Sequence, residues 1–333
     1  MLPSLSSLPL VGAPGRSGAT TPSRDATSDL SDDLLGEIMA YIENGTIGYM
    51  CQTSHRVRAI CRDPALWKAL CAREGYGAPP TGVPWMYHYA RNANPAYARR
   101  VDQALRWESM RGHVEVVRLL LAAGADVHAR ALQWASIGGR VEVVRLLLAA
   151  GADVHAQDDE ALREASMEGH AEVVQVLLAA GADVNTNNEA ALREASMEGH
   201  AEVVEVLFLA GANVHAKNDE ALREASTKGH AEVVEVLLDA GAYVHARDDE
   251  ALQTASEEAH VEVVRLLLAA GADVHAKNDE ALRRALLHGH LAVVQLLVAG
   301  GANALARHGH LLKLPDNHPT PLRQQLAAAL GYE

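Results

Sequence analysis

Seven near-copies of one block run through this chain, and that regularity constrains the fold more than any other feature. Residues 221–250, ALREASTKGHAEVVEVLLDAGAYVHARDDE, represent the block, and its counterparts begin at Ala104, Ala131, Ala161, Ala191, Ala251 and Ala281. The steps are 27 residues once and 30 five times. A fixed period in this range marks a solenoid, in which each unit packs on its neighbours.

The block reads as two short helices. In the first, Leu222, Ala225 and Ser226 share one side, with Arg223, Glu224, Thr227 and Lys228 on the other. Gly229 ends it, since glycine takes the left-handed conformation past a helix without steric cost. The second carries Val233, Val234, Val236, Leu237 and Leu238 and stops at Gly241. Neither reaches the roughly 12–15 residues at which an isolated helix becomes marginal. Stacking must hold them, through buried Val and Leu side chains worth about 1.5–3 kcal/mol each.

The pattern Gly-His-x-Glu-Val-Val-x-Leu-Leu-Leu-x-x-Gly-Ala-Asp-Val at residues 112–127 returns, with small changes, in every later block. In this it resembles the ankyrin repeat. Glu160-Ala161-Leu162-Arg163 stands where that family has Thr-Pro-Leu-His, and the period falls short of the family's usual length. The missing residues fall near Ala216–Glu220, so a blunt loop is expected in place of a hairpin, with Asp219 or Asn218 capping the next helix.

Ahead of the repeats, residues 1–28 are rich in Ser, Pro, Gly and Thr and predict a disordered tail. An apolar stripe then begins at Leu34, Leu35, Ile38, Met39 and Ile42, followed by a turn at Asn44-Gly45 and a second helical stretch through Ile47, Met50, Val57 and Ile60. A third helix starts at Asp63-Pro64 and carries Leu66, Trp67, Leu70 and Cys71. Residues 30–71 look like an F-box. The resemblance rests on Leu30, Asp33, Leu34, Leu35, Ile38 and Met39, and on Val57, Asp63, Pro64, Leu66 and Trp67, with no gap between the halves. Ser31, Gly48, Gln52 and Val57 depart from the family's pattern. The alternative is a small helical cap that starts the solenoid.

The expected architecture is all-α: an ankyrin-repeat solenoid of stacked helix pairs with shortened hairpin loops, preceded by a small three-helix F-box-like domain. The divisions are a tail at 1–28, the F-box-like domain at 29–75, and a connector at 76–103 packed on the first repeat. Seven repeats follow at 104–310, and a capping segment at 311–333 holds a helix at 321–330.

Charge and composition narrow the function. A formal net charge of −14 leaves no basic stripe for nucleic-acid phosphates. No apolar run is long enough to span a membrane. The opening residues lack a charged leader, and three cysteines confined to Cys51, Cys61 and Cys71 fit a reducing compartment. The Asn44-Gly45-Thr46 sequon is expected to be a turn.

The histidines His170, His200, His230, His260 and His290 recur once per block, as do His155, His215, His245 and His275, and His128 fits the second series. Rungs one helix-packing distance apart, roughly 8–10 Å, cannot converge on one metal. The first series is expected to bond at the start of the second helix. Cys51, His55 and Cys61 lack a Cys-x-x-Cys half and do not read as a zinc site. The acids Asp158-Asp159-Glu160 and Asp248-Asp249-Glu250 read as capping and first-turn charges. No phosphate loop, zinc-protease helix or nucleophile elbow is present, so neither an enzyme nor a cofactor is expected.

What varies between blocks is the outer side of the first helix, the concave side that ankyrin proteins use to hold partners. Its residues are Trp107, Met110 and Arg111; Trp134 and Ile137; Glu164, Met167 and Glu168; Glu194, Met197 and Glu198; Glu224 and Lys228; Glu257; and Arg284 and Leu287. The tryptophans are either an aromatic anchor for a target or packed beneath the connector's Trp85 and tyrosines.

The combined resemblance implies a non-catalytic substrate receptor of a cullin-based, SCF-type ubiquitin ligase. Leu30, Leu34, Ile38 and Met50 would dock a Skp-family adaptor, and the solenoid would hold a target protein. The chain would be a monomer outside that complex, in the cytoplasm or nucleus of a eukaryotic cell or of a host infected by a large DNA virus. The alternative is an ankyrin scaffold that sequesters its partner without ubiquitin transfer.

Overall fold

The structure, a computed structural model, describes residues 64–73, 76, 78–79, 85–93, 95–128 and 130–302. The adaptor-docking residues Leu30, Leu34, Ile38 and Met50, the expected tail, the Cys51–His55–Cys61 trio and the helix expected at 321–330 lie outside these. Among the described residues every regular element is a helix. Pro64–Arg73 packs on Trp85–Ala93, which packs on a longer helix, Pro95–Arg111. That helix starts ahead of Ala104, so the first repeat grows directly out of the segment expected to be a connector.

From there the chain alternates between two layers. First helices stack on first helices, second helices on second, and the partners of each pair pack on one another. The core runs between the layers as a continuous seam. In the block at 221–250 it receives Leu222 and Ala225 from one side and Val233, Val234 and Leu237 from the other, all essentially inaccessible. The second helices are only nine residues long, as in Ala231–Asp239, so their stability comes from this seam. At the other end Trp67, Cys71, Met86 and Tyr89 form a buried aromatic cluster, Trp67 and Tyr76 each lying 5.7 Å from Tyr89 between ring centroids.

Cross-repeat hydrogen bonds add to the seam, and they correct two sequence-based expectations. The histidine that opens each second helix makes no side-chain cap bond. Its ring instead reaches back to the end of the preceding first helix. His170 Nε2 donates to Ile137 O at 2.9 Å, His200 to Met167 O at 2.9 Å, His230 to Met197 O at 2.9 Å, His260 to Thr227 O at 3.0 Å and His290 to Glu257 O at 2.7 Å. A carbonyl can only accept, so Nε2 carries the proton. Arg140 takes the same place earlier in the stack, its Nε bonding Met110 O at 2.9 Å. The carbonyls involved are among those a helix C-terminus leaves unpaired, which is why the bond forms there.

The loops correct the second expectation. Lys217, Asn218 and Asp219 all adopt left-handed backbone, at φ 49°, 59° and 52°, and the turn recurs at 157–159, 247–249 and 277–279. Each such residue costs on the order of 1–2 kcal/mol. The aspartate ending the turn is buried, and the bonds of Asp219 run to a histidine and to the next loop, not to the helix that follows. Its Oδ1 accepts from the histidine four residues earlier, as in His215 Nδ1 to Asp219 at 3.0 Å, and from the backbone N–H of the next loop. Those second bonds are Asp159 to Asp183 N at 3.0 Å, Asp219 to Tyr243 N at 2.7 Å and Asp249 to Asp273 N at 2.8 Å. Asp102 does the same for Asp126 N at 2.8 Å. Thus Asp159 and Asp249 stand in the first turn, as the sequence predicts, and in addition tie successive loops together. The series is broken twice, where Ala129 and Glu189 occupy the aspartate's place.

Arg223 is a third correction. It was expected on the outer side, yet it is buried, bonding Asn218 O at 3.2 Å and Glu250 Oε2 at 3.0 Å across the interface. The long apolar stem packs against the layer while the guanidinium finds acceptors at its rim.

Two predictions follow from the geometry of the ladder and the loops. Gly199 sits at φ +88°, and a methyl group there would meet His230 Nδ1 at 2.6 Å; Ala259 occupies the matching position at φ +63°. Gly199→Ala is expected to lower stability by about 1–2 kcal/mol, and Ala259→Gly to raise it by about 0.5–1 kcal/mol, read from urea unfolding midpoints. At the broken tie, burial pushes the Glu189 carboxyl up, Asp183 adds to the shift and Lys217 opposes it. A folded value above the unfolded one means no cost at low pH and lost stability as pH rises through the unfolded value, about 4.3, to the folded one. Glu189→Asp should restore the bond to Asn213 N and add about 1 kcal/mol. Glu189→Gln should gain over wild type at neutral pH and lose that gain under acid conditions.

Candidate partner-binding face

The first helix of each pair shows solvent three side chains that vary, and stacking turns them into three parallel rows. One row runs Trp107, Trp134, Glu164, Glu194, Glu224, Thr254 and Arg284. The middle row is Met110, Ile137, Met167, Met197, Thr227, Glu257 and Leu287, and the outer one is Arg111, Gly138, Glu168, Glu198, Lys228, Glu258 and His288. The cross-repeat bonds accept at the backbone of the middle row from Met110 to Glu257. Each rung therefore fixes the main chain beneath a side chain that faces the open side.

The rows divide chemically along their length. Trp107 and Trp134 lie against each other, centroids 5.6 Å apart and planes 41° apart, with Trp107 48% exposed. Among the described residues Tyr89 lies 5.7 Å between ring centroids from both Trp67 and Tyr76. Met110, Ile137, Met167 and Met197 are half-buried and continue the apolar strip through the fourth pair.

Acids border it. Glu164 pairs with Arg163 at 3.3 Å, and Glu194 lies 3.6 Å from Arg163 and 3.9 Å from Arg193. Glu168 and Glu198 are exposed and have no ion-pair partner among the described residues. Burial pushes the Glu194 carboxyl up, Glu164 and Glu198 push it further, and the arginines oppose them.

Beyond Met197 the strip turns polar. Thr227 and Thr254 hydrogen-bond at 3.0 Å, Lys228 is exposed, and Arg284 bonds Glu257 across the interface and Glu280 at 2.9 Å. Burial raises the Glu280 carboxyl, but bonds from Arg283 and Arg284 outweigh it and hold the group below its ordinary range. Glu224 is half-buried and Leu287 is 49% exposed. Arg111 lies 3.9 Å from Glu108. Sequence reasoning missed the buried Arg223 and Arg140's place in the ladder. Arg140 could have been found from its alignment with the recurrent histidine.

Among the described residues no group of three or more His, Cys, Asp or Glu side chains is arranged to hold a metal, and no helix is long and apolar enough to cross a membrane. In the second histidine series the rings of His155, His215, His245 and His275 are each taken up by an aspartate, as in His245 Nδ1 to Asp249 at 3.0 Å.

A protein-family model described as ankyrin repeats (three copies) matches residues 86–158, 105–188, 162–248 and 222–308. Among solved structures, the crystal structure of the human ASB11 ankyrin repeat domain is similar, with a TM-score of 0.53 and 28% identity, covering 60% of this chain and 96% of that one. F-box only protein 36 from Homo sapiens and from Pongo abelii are each 41% identical over 46 residues, which is 14% of this chain. The chain spans 24% of the length of these curated relatives.

The ladder bond can be isolated by substitution. His200→Ala should cost about 1–2 kcal/mol by leaving Met167 O unpaired. His200→Arg should recover most of that, as Arg140 serves the same carbonyl position. An arginine variant as unstable as the alanine one in thermal melts would mean the bond is not what the ring contributes.

Proposed function

The chain belongs to the ankyrin-repeat family, and from that premise we propose that it is a non-catalytic substrate receptor of a cullin-based, SCF-type ubiquitin ligase. The fold itself is a protein-binding scaffold, and its partner face is the row of first helices. The observation that carries the finer reading is the 46-residue similarity to F-box only protein 36 in a chain whose residues 30–71 read as an F-box. In this proposal residues 29–75 form the adaptor module, with Leu30, Leu34, Ile38 and Met50 as its docking surface. The burial of Trp67 and Cys71 against the helix Trp85–Ala93 supports a firm seat for its third helix on the solenoid. A firm seat matters because a receptor works by proximity, holding target and transfer machinery at a fixed separation.

The target side uses the Trp107–Trp134 pair and the strip behind it. Large aromatic side chains with exposed area are the residues that dominate binding energies at protein interfaces. Transfer chemistry belongs to other subunits, in the cytoplasm or nucleus, and neither nucleic acid nor membrane takes part. Without adaptor binding, the same face would make the chain a sequestering scaffold.

Affinity capture with the full chain from eukaryotic cell extract separates the two. Wild type is expected to retain the Skp-family adaptor and cullin, and Leu34→Asp and Ile38→Asp to lose both, while Trp107→Ala keeps them. Retention of neither by wild type would replace the ligase reading with the scaffold.

A further inference from the structure

From the chemistry of the partner face we infer that its first four repeats bind a basic amphipathic helix, laid along the Trp107–Met197 strip with its cationic edge on Glu168 and Glu198. The inference rests on the face being the target-holding surface and adds what kind of segment it holds.

The strip is apolar along its floor, and its outer rim is acidic over the third and fourth repeats, at Glu168 and Glu198, with Arg111 held beside Glu108 at the first. Its methionines are unbranched and polarizable, and such side chains adapt to varied apolar surfaces. Glu168 and Glu198 stand exposed with no ion-pair partner among the described residues, although Arg163 and Arg193 lie nearby and pair with Glu164 and Glu194. Two free carboxylates on adjacent repeats select against an acidic occupant and steer a basic one.

Backbone chemistry decides between a helix and an extended peptide. The face is made of helices whose amides bond internally, and the carbonyls at Met110, Ile137, Met167 and Met197 already accept from the next repeat. No strand edge is available among the described residues. A segment docked here must satisfy its own main chain, and a helix does so. The lengths agree: three rungs of roughly 8–10 Å span about 25–30 Å, the length of a helix of about 17–20 residues. Side chains seven residues apart on that helix lie about 10.5 Å apart, close to one rung. Its apolar face would meet the tryptophans and methionines rung by rung.

The test uses the full chain and synthetic peptides of about 18 residues. One has leucines at helical spacing flanked by Lys and Arg, a second has Glu in place of the basic residues, and a third is the basic peptide interrupted by proline. Binding is read by tryptophan fluorescence and calorimetry, and helix formation by circular dichroism. The basic peptide is expected to bind and become helical, and the acidic and proline-interrupted ones to bind at least tenfold more weakly. Trp107→Ala, and Glu168→Lys with Glu198→Lys, should each weaken the basic peptide at least tenfold with unfolding midpoints unchanged.

Equal binding of the acidic or the proline-interrupted peptide overturns the inference. So does no binding of the basic peptide at concentrations on the order of 100 µM. Self-association that Trp107→Ala abolishes would assign the face to a second copy instead. None of these outcomes depends on adaptor capture through Leu34 and Ile38, so either idea can fail without the other.

Discussion

The bond from a ring at the start of one second helix to the carbonyl at the end of the preceding first helix solves two problems at once. A short helix leaves its last carbonyls unpaired, and a stack of short helices needs register between neighbours. His200 and its counterparts supply the donor and set the register with the same contact. The ring lies over the glycine that ends the helix below, as His230 lies over Gly199, so helix termination and ring placement use the same vacant side-chain position. Hydrophobic burial supplies most of the stability, but it is non-directional. The ladder gives that burial one alignment.

That alignment also determines how the partner face can vary. The carbonyl held by each rung belongs to a middle-row residue, and the bond is indifferent to that residue's side chain. Met167, Thr227 and Glu257 accept equally well. The sequence is free to change from apolar to charged along the row while the spacing stays constant. Rigid spacing with variable chemistry is what an interaction surface needs, because ordering costs are met during folding and not again on binding.

Much of this was legible in the repeat itself. The period gives the solenoid, the Val and Leu spacing gives the buried side of each second helix, and the glycines give the stops. The recurrent histidines were visible too, but their partners lie in the preceding repeat, where local capping rules do not look. The aspartate ending each loop misled for a similar reason. Before a helix it resembles a cap, and only the left-handed backbone of Lys217 and Asn218 turns its carboxylate toward the next loop. Arg223 was assigned outward by helical spacing alone, which does not register that a long stem can cross an interface to Glu250. The rows of the partner face could be listed from the sequence, whereas the pairing of Glu164 and Glu194, and the lack of partners at Glu168 and Glu198, needed the stack.

The interruptions of the loop ties are as informative as the ties. Where Ala129 and Glu189 replace the aspartate, the interface keeps its rung but loses the bond between loops. Among the described residues Gln133 Oε1 and Glu160 Oε2 at one of these places, and Arg193 Nη1 and Glu220 Oε2 at the other, are buried without hydrogen-bond partners, as are the hydroxyls of Ser109, Ser136, Ser226 and Ser256 along the first helices. Arg193 and Glu220 face each other at 3.7 Å, near enough to attract and too far to bond. Each repeat is held only by its neighbours, so an interface without the tie depends on its rung and on the apolar seam. The apolar strip crosses the first untied interface and ends at the second, and at both the rung alone, from His170 to Ile137 O and from His230 to Met197 O, keeps the first helices in register.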